Sequence, residues 1–333
     1  MNAEASENGD RVLKWSVRVA MGIATALVVT VGVMFVVFSS WKSAHVHELD
    51  ASSSIMTTAL GDVEYAVIGT GVPYLSIHGT PGGYDGALAS RRAYPSAYDD
   101  VMTIAVSRPG YLRTPLSSGK TFEQQADLFA AILDTLAVPR AVVVASSGGG
   151  YDGLQFALRH PDRCIALVLL APSVNYEPLP EGAPSANRFL LAIRDVGIWS
   201  TTSSSTVTRV VAGAMIKDLN RKDPEQIKFF DGVMKSLIPL SRRIEGAQND
   251  AAQRIDPNID HWPLERISVP TLLIHGTADE NSAYQGSVYV ASKIRGAELV
   301  TFAGGDHFFP VTHAKEVREH IRSFVNRHDG TVR

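Results

Sequence analysis

The 333-residue sequence predicts an α/β protein with a mostly parallel central sheet flanked by helices, a helical cap insertion and an N-terminal transmembrane helix. Three observations predict it. Short apolar runs alternate with helical patterns over residues 63–170 and again over 269–325, the rhythm of parallel strands joined by crossover helices. Between 172 and 262 the strands stop and only helical spacing remains, as in an insertion. Near the N-terminus an uncharged apolar run covers residues 19–38, and about 20 such residues span a bilayer as a helix.

The N-terminal segment comes first. Residues 1–10 are polar, Arg11, Lys14 and Arg18 precede the apolar run, and Ser39-Ser40-Trp41-Lys42 end it. A secretory signal has a shorter apolar region and a small-x-small cleavage site. Here Phe38-Ser39-Ser40 and Lys42-Ser43-Ala44 place a bulky or charged residue where the first small one belongs, so residues 1–44 read as a cytoplasmic tail with an uncleaved signal anchor, a cleaved signal being the alternative reading. Three basic residues before the run against Lys42 after it put the N-terminus in the cytoplasm and the rest of the chain on the extracytoplasmic side. Trp15 and Trp41 bracket the run as interfacial anchors would. The Ser/Thr-rich stretch 45–58 reads as a linker.

The α/β core is expected over 59–171 and 263–333, with the cap over 172–262. Strand 63–68 turns at Gly69-Thr70-Gly71 into strand 73–77, which runs into His78-Gly79-Thr80-Pro81-Gly82-Gly83. Strand 102–106 ends in Ser107-Arg108-Pro109-Gly110-Tyr111, and 121–136 has helical apolar spacing behind the cap residue Thr121. Strand 141–145 meets the helix from Gly148 at a tight turn, and strand 165–170 follows. In the cap, a Pro/Gly-rich loop at 178–184 leads to helical patterns near 186–196, 207–219, 224–237 and 240–254, with a polar Ser/Thr run at 201–208. Trp199, Phe229, Phe230 and Met234 suit either an apolar pocket or the packing of cap on core. Strand 269–275 precedes Gly276-Thr277-Ala278-Asp279-Glu280, strand 297–302 precedes Ala303-Gly304-Gly305-Asp306-His307, and 314–325 is a closing helix.

Composition narrows the functions. With 31 basic and 34 acidic residues the formal net charge is -3, which gives no pull toward nucleic acid. The single cysteine, Cys164, excludes an internal disulfide and a Cys-based zinc site, and its place at the edge of an apolar strand reads as buried and inert. No Gly-Lys-Ser/Thr ending follows the glycines at 148–150 and no G-x-G-x-x-G follows an early strand, which argues against a phosphate-cradling loop there; no cofactor and no metal are expected.

Chemistry is concentrated at the turn Ala145-Ser146-Ser147-Gly148-Gly149. A strand-to-helix turn this sharp strains its central residue and tolerates only small residues two positions to either side. Ala145 and Gly149 fit those places around Ser147, whereas Ser146 would have Val144 in one of them. A serine hydroxyl needs a base, usually a histidine oriented by a carboxylate. Ser147, Asp279 and His307 each follow a strand and would share one rim of the sheet, with His307 as base and Asp279 as its orienter. Glu280, one residue along, is the nearest rival acid. Asp306 adjoins His307 and is poorly placed to reach back to its ring. Backbone N–H groups of Gly148 and Thr80 are placed to receive an oxyanion, while Pro81 has none.

With these motifs in order, residues 60–326 resemble the α/β-hydrolase family: Ser147 resembles its elbow serine, Asp279 the acid of its His-Gly-x-x-Asp loop, and His307 its late histidine. His78-Gly79-Thr80-Pro81 resembles the family's oxyanion loop and Arg108-Pro109-Gly110-Tyr111 its Arg-Pro-Gly-Tyr turn. Ala145 departs from the family's first elbow glycine. The resemblance, to the serine esterase or lipase-like and proline iminopeptidase-like branches, implies a membrane-anchored hydrolase acting on a small ester or acyl substrate through an acyl-enzyme. An aminopeptidase would need an acidic anchor for the substrate amine, for which Glu225 or Glu245 in the cap is available. A catalytically silent binding module is the remaining alternative.

Overall fold

The computed structural model describes residues 2–174, 186–254 and 261–328. It divides into two units, Met1–Glu48 and Leu49–Arg333. The first is the body of helix α1 (Asn2–Ala51), in which Lys14–Ala51 is long and apolar enough to cross a membrane and every side chain from Lys14 to Val37 is exposed.

The second unit is built on one mixed sheet of eight strands: β1 (Ser54–Thr58), β2 (Gly61–Ile68), β3 (Val72–Ile77), β4 (Val101–Val106), β5 (Ala141–Ser146), β6 (Cys164–Leu170), β7 (Thr271–Gly276) and β8 (Glu298–Phe302). Their spatial order is β1-β2-β4-β3-β5-β6-β7-β8. The β1–β2 and β2–β4 pairs are antiparallel, and every pair from β4 to β8 is parallel. Because the chain leaves β3 toward β4 on one side and returns to β5 on the other, the order reverses at β3 and β5. A crevice therefore opens beyond their carboxyl ends, the usual ligand position in such sheets.

Strand β1 and the end of α1 differ from the linker read over 45–58. Helix α1 continues through Ala51, and Ser54–Thr58 pairs with β2. Only Met56 of this edge strand is buried, so its Ser/Thr composition carries almost none of the alternation that marks a strand.

Two short helices, α2 (Tyr84–Ala87) and α3 (Ala89–Ala93), follow β3. Helix α4 (Phe122–Thr135) starts at a capping box, in which the Thr121 hydroxyl accepts from the Gln124 N–H and the Gln124 amide oxygen accepts from the Thr121 N–H. Helix α5 (Gly150–Arg159) leaves the elbow. The cap holds α6 (Arg188–Thr201), α7 (Ser205–Met215), α8 (Pro224–Lys235) and α9 (Ile244–Arg254). Side chains of Asn187, Ser204 and Asp223 cap the first three by accepting backbone N–H groups of the opening turn. The expected Ser/Thr segment at 201–208 thus becomes the end of α6, the Ser204 cap and the start of α7. The loop expected at 178–184 lies outside the described residues. Helices α10 (Tyr284–Lys293), α11 (Phe309–Thr312) and α12 (Ala314–His328) complete the unit.

Alternation along the strands divides the core. Leu75, Ile77, Val143, Leu167 and Leu273 pack with Phe129 and Leu133 of α4, Leu154 of α5 and Val290 of α10. Val142, Val168, Leu272 and Ile274 pack on the other face with Val317 and Phe324 of α12. Cys164 is fully buried at the start of β6, and burial pushes its thiol up to about 12.

Candidate active site

The elbow is set by contact as much as by chain direction. Ser147 has φ 47°, a left-handed conformation that a residue with a side chain adopts only when its surroundings impose it. A Cβ on Gly149 would lie 2.6 Å from the His78 carbonyl oxygen, and one on Gly79 would lie 2.8 Å from Ser147 Cβ, so the loop after β3 lies against the elbow. A Cβ on Gly153 would come within 2.8 Å of Ala145 Cβ. Alanine is accommodated at position 145 because the facing helix position is glycine.

Asp279 and His307, from the loops after β7 and β8, meet: His307 Nδ1–H donates to Asp279 Oδ2 at 2.7 Å. That leaves His307 Nε2 to handle a proton. The other carboxylate oxygen, Oδ1, accepts from the N–H groups of Asn281 (2.9 Å) and Ser282 (2.8 Å). His275 adds a further donor. Its Nε2 lies 3.2 Å from Asp279 Oδ2 and 3.1 Å from the Ser282 carbonyl, both acceptors, so Nε2 carries the proton and Nδ1 accepts from the Ser287 hydroxyl at 2.7 Å. Burial pushes the Asp279 carboxyl up, but hydrogen bonds from His275, His307 and the backbone outweigh it and hold the group well below the usual carboxylate range. Glu280 is exposed, and Asp306 accepts the N–H of Phe308.

Ser147 and His307 line one cavity of about 790 Å³. Among the described residues no hydrogen bond joins them. The Ser147 hydroxyl is 3.2 Å from that of Ser173, which in turn contacts the Ser282 hydroxyl at 2.5 Å. Gly148 and Thr80 adjoin: a Cβ on Gly148 would stand 3.2 Å from Thr80 N and run into Thr80 Oγ1.

Sequence reasoning missed the group that holds Thr80. The Thr80 hydroxyl donates to Asp250 Oδ2, from cap helix α9. Asp250 also receives Arg108 Nη1 (2.9 Å), Arg108 Nη2 (2.6 Å) and the Tyr111 hydroxyl (2.6 Å), while Arg108 Nε stands 2.8 Å from Asp152. Burial opposes the Arg108 charge, yet Asp152 and Asp250 more than offset it and raise its pKa. Burial lifts Asp152 to about 7 against the pull of Arg108. The Arg-Pro-Gly-Tyr turn therefore supplies a buried cation and a phenol to this network.

His78 is a fixed part rather than a base. Its Nε2 accepts the Arg108 N–H at 3.0 Å, so the proton is on Nδ1, which donates to the Gly79 carbonyl at 2.6 Å. Burial first, then the nearby Arg108 charge, keeps it neutral.

Of the expected pocket residues, Phe229 lines the cavity, whereas Phe230 and Met234 are buried within a cap cluster and Trp199 is half-buried on α6. Glu225 and Glu245 are exposed and do not line it. Among the described residues no three His, Cys, Asp or Glu side chains come together to hold a metal ion.

A strand–elbow–helix turn with a strained serine at its centre and a carboxylate–imidazole pair at the same sheet edge are the architecture of the α/β hydrolases. The chain belongs to the alpha/beta hydrolase family, whose sequence profile matches residues 75–320. It is similar to the 2-hydroxymuconate semialdehyde hydrolase of a Pseudomonas species (26% identity, 79% of this chain and 90% of that protein). It is also similar to the pimeloyl-[acyl-carrier protein] methyl ester esterase of Neisseria meningitidis (28% identity, 66% of this chain and 67% of that protein). Among solved structures, an alpha/beta hydrolase fold protein from Nakamurella multipartita matches with TM-score 0.64 and 31% identity, over 82% of this chain and 99% of that one.

The depressed Asp279 carboxyl has a consequence for stability. A group whose folded pKa is lowered contributes stability above its unfolded value, near 4, and loses it as pH falls below that. The wild type should therefore melt progressively earlier on acidification below about pH 4, and Asp279→Asn should lose part of that slope. Thermal melts across pH check this, and parallel acid limbs for the two proteins would contradict it.

Proposed function

We propose that this chain is a membrane-anchored serine hydrolase that cleaves a carboxylic ester, with Ser147 as nucleophile, His307 as general base and acid, and Asp279 as orienting carboxylate. The observation that carries the reading is the 2.7 Å Asp279–His307 pair opening on the same cavity as the strained Ser147. Ser147 Oγ attacks the ester carbonyl while its proton passes to His307 Nε2, and the N–H groups of Gly148 and Thr80 receive the oxyanion. Collapse of the tetrahedral intermediate breaks the bond to the alcohol oxygen, which takes the proton from His307 and leaves an acyl-Ser147. Water, deprotonated by the same imidazole, then releases the acid and restores the serine.

An ester is favoured over a peptide amine because neither Glu225 nor Glu245 reaches the cavity, and the carboxylate on its wall, Glu319, already faces Lys315 at 3.8 Å. The esterase relative supports the same class. A fluorophosphonate probe should label the full-length protein and not Ser147→Ala, and acyl esters should be turned over in preference to prolyl amides. No labelling of the wild type would favour the silent module, and faster prolyl-amide cleavage the peptidase.

Residues 172–262 act in this reading as the cap over the site, and α1 as the anchor. A helix exposed and apolar on all sides suits lipid, not water, and the basic residues precede the run. A reporter fused to the C-terminus should be active only on the extracytoplasmic side; cytoplasmic activity would reject the topology.

A further inference from the structure

The cavity at Ser147 is deeper than a crevice at the sheet edge needs to be. Its wall includes Ser76 and Tyr74 of β3, Val144 of β5, and Thr103 and Val101 of β4. By register Val101 pairs with Val72, the first residue of β3, and Val106 pairs with Ile77, the last. Space continuous with Ser147 therefore extends over the full height of these strands, roughly 17 Å at 3.3 Å per residue. It ends near Ala97, Tyr98, Arg318 and Arg322 at the opposite edge.

The packing explains why this strip is uncovered. Short helix α3 turns its Ala89 and Ala93 away to the cap, where they cluster with Phe229, Phe230 and Met234. Helix α12 covers the sheet further along, over Val142, Val168 and Ile274. Between the two, Tyr74, Ser76, Val144 and Leu170 are only half-buried although they belong to inner strands of an eight-stranded sheet. Val317 and Ile321 of α12 form the facing wall.

We infer that this channel holds the acyl chain of the substrate, and that the protein acts on esters of long, linear acyl chains. The inference rests on the hydrolase reading above. A passage along the sheet whose wall includes Val144, Leu170, Val317 and Ile321, continuous with the attacking oxygen, fits an unbranched chain leaving the carbonyl carbon, with the charged Arg91 and Arg322 gathered at its far end by Val101 and Ala97. The alcohol portion is left on the cap side of Ser147.

The test compares hydrolysis of acetyl and palmitoyl esters by the full-length protein and by Ser76→Phe, which fills the channel midway from a residue outside the reacting groups. The expected result is that the wild type cleaves both, and that Ser76→Phe loses the palmitoyl ester about hundredfold or more while acetyl turnover persists. Ile321→Trp, on the opposite wall, should do the same, and retained acetyl turnover shows that each variant is folded. A wild type that cleaves only the acetyl ester, or variants that lower both esters equally, would overturn the channel and leave the hydrolase standing. A wild type that cleaves neither would overturn the hydrolase reading and the channel with it.

Discussion

Ser147→Ala is expected to abolish ester turnover, by a factor on the order of a million where serine and histidine act as one unit, while leaving the fold intact. The substitution removes one oxygen whose only hydrogen bond among the described residues is to Ser173. It keeps a Cβ at φ 47°, so the strain of the elbow is unchanged. Melting temperature should therefore move little. Ser147→Gly provides the contrast. It is equally inactive, but glycine adopts this conformation without the cost of about 1–3 kcal/mol that other residues bear, so it should melt higher than Ser147→Ala. Ser146→Ala should retain labelling and turnover, because Ser146 ends β5 in extended backbone rather than occupying the elbow. Loss of turnover in Ser146→Ala with activity preserved in Ser147→Ala would reassign the nucleophile.

What could be read from the sequence was what local chemistry dictates. The run of β-branched residues before two serines and three glycines demands a strand, a sharp turn and a helix, whatever lies elsewhere. Asp279 and His307 were legible for a related reason: each follows a short apolar run closely, and strand ends in a parallel sheet converge on one edge. The missed features depend on contacts between distant segments. Asp250 lies in a helix of ordinary polar composition, and nothing near it signals that it meets Arg108, 142 positions earlier in the chain. Ser173 and Ser282 were unremarkable polar residues until the sheet brought their hydroxyls together. The channel depends on the direction in which α3 leans, which follows from cap side chains that its own five residues do not encode.

Asp250→Ala should damage stability and catalysis through separate causes that two measurements can tell apart. Two buried carboxylates share the Arg108 guanidinium, and removing one leaves the cation half-compensated and the Tyr111 hydroxyl without this acceptor. Breaking a buried pair from one side costs about 3–5 kcal/mol, which implies a fall in Tm on the order of 10 °C. The loss is tempered because Asp250 also pushes the Asp152 carboxyl up, so its removal lets Asp152 ionise more readily beside Arg108. The catalytic effect travels through Thr80. Without Asp250 to accept its hydroxyl, the loop carrying the Thr80 N–H loses its tie to the cap, and one of the two donors proposed for the oxyanion is no longer fixed. An oxyanion forms only in the transition state, so kcat should fall while KM for a short ester changes little. Asp250→Asn separates the contributions, since the amide oxygen can still accept from Thr80 while the charge is gone: stability should drop as in the alanine variant, and kcat should recover toward wild type. If kcat per folded molecule is unchanged in Asp250→Ala, the network is a structural strut and Thr80 is held in place by the β3 loop alone.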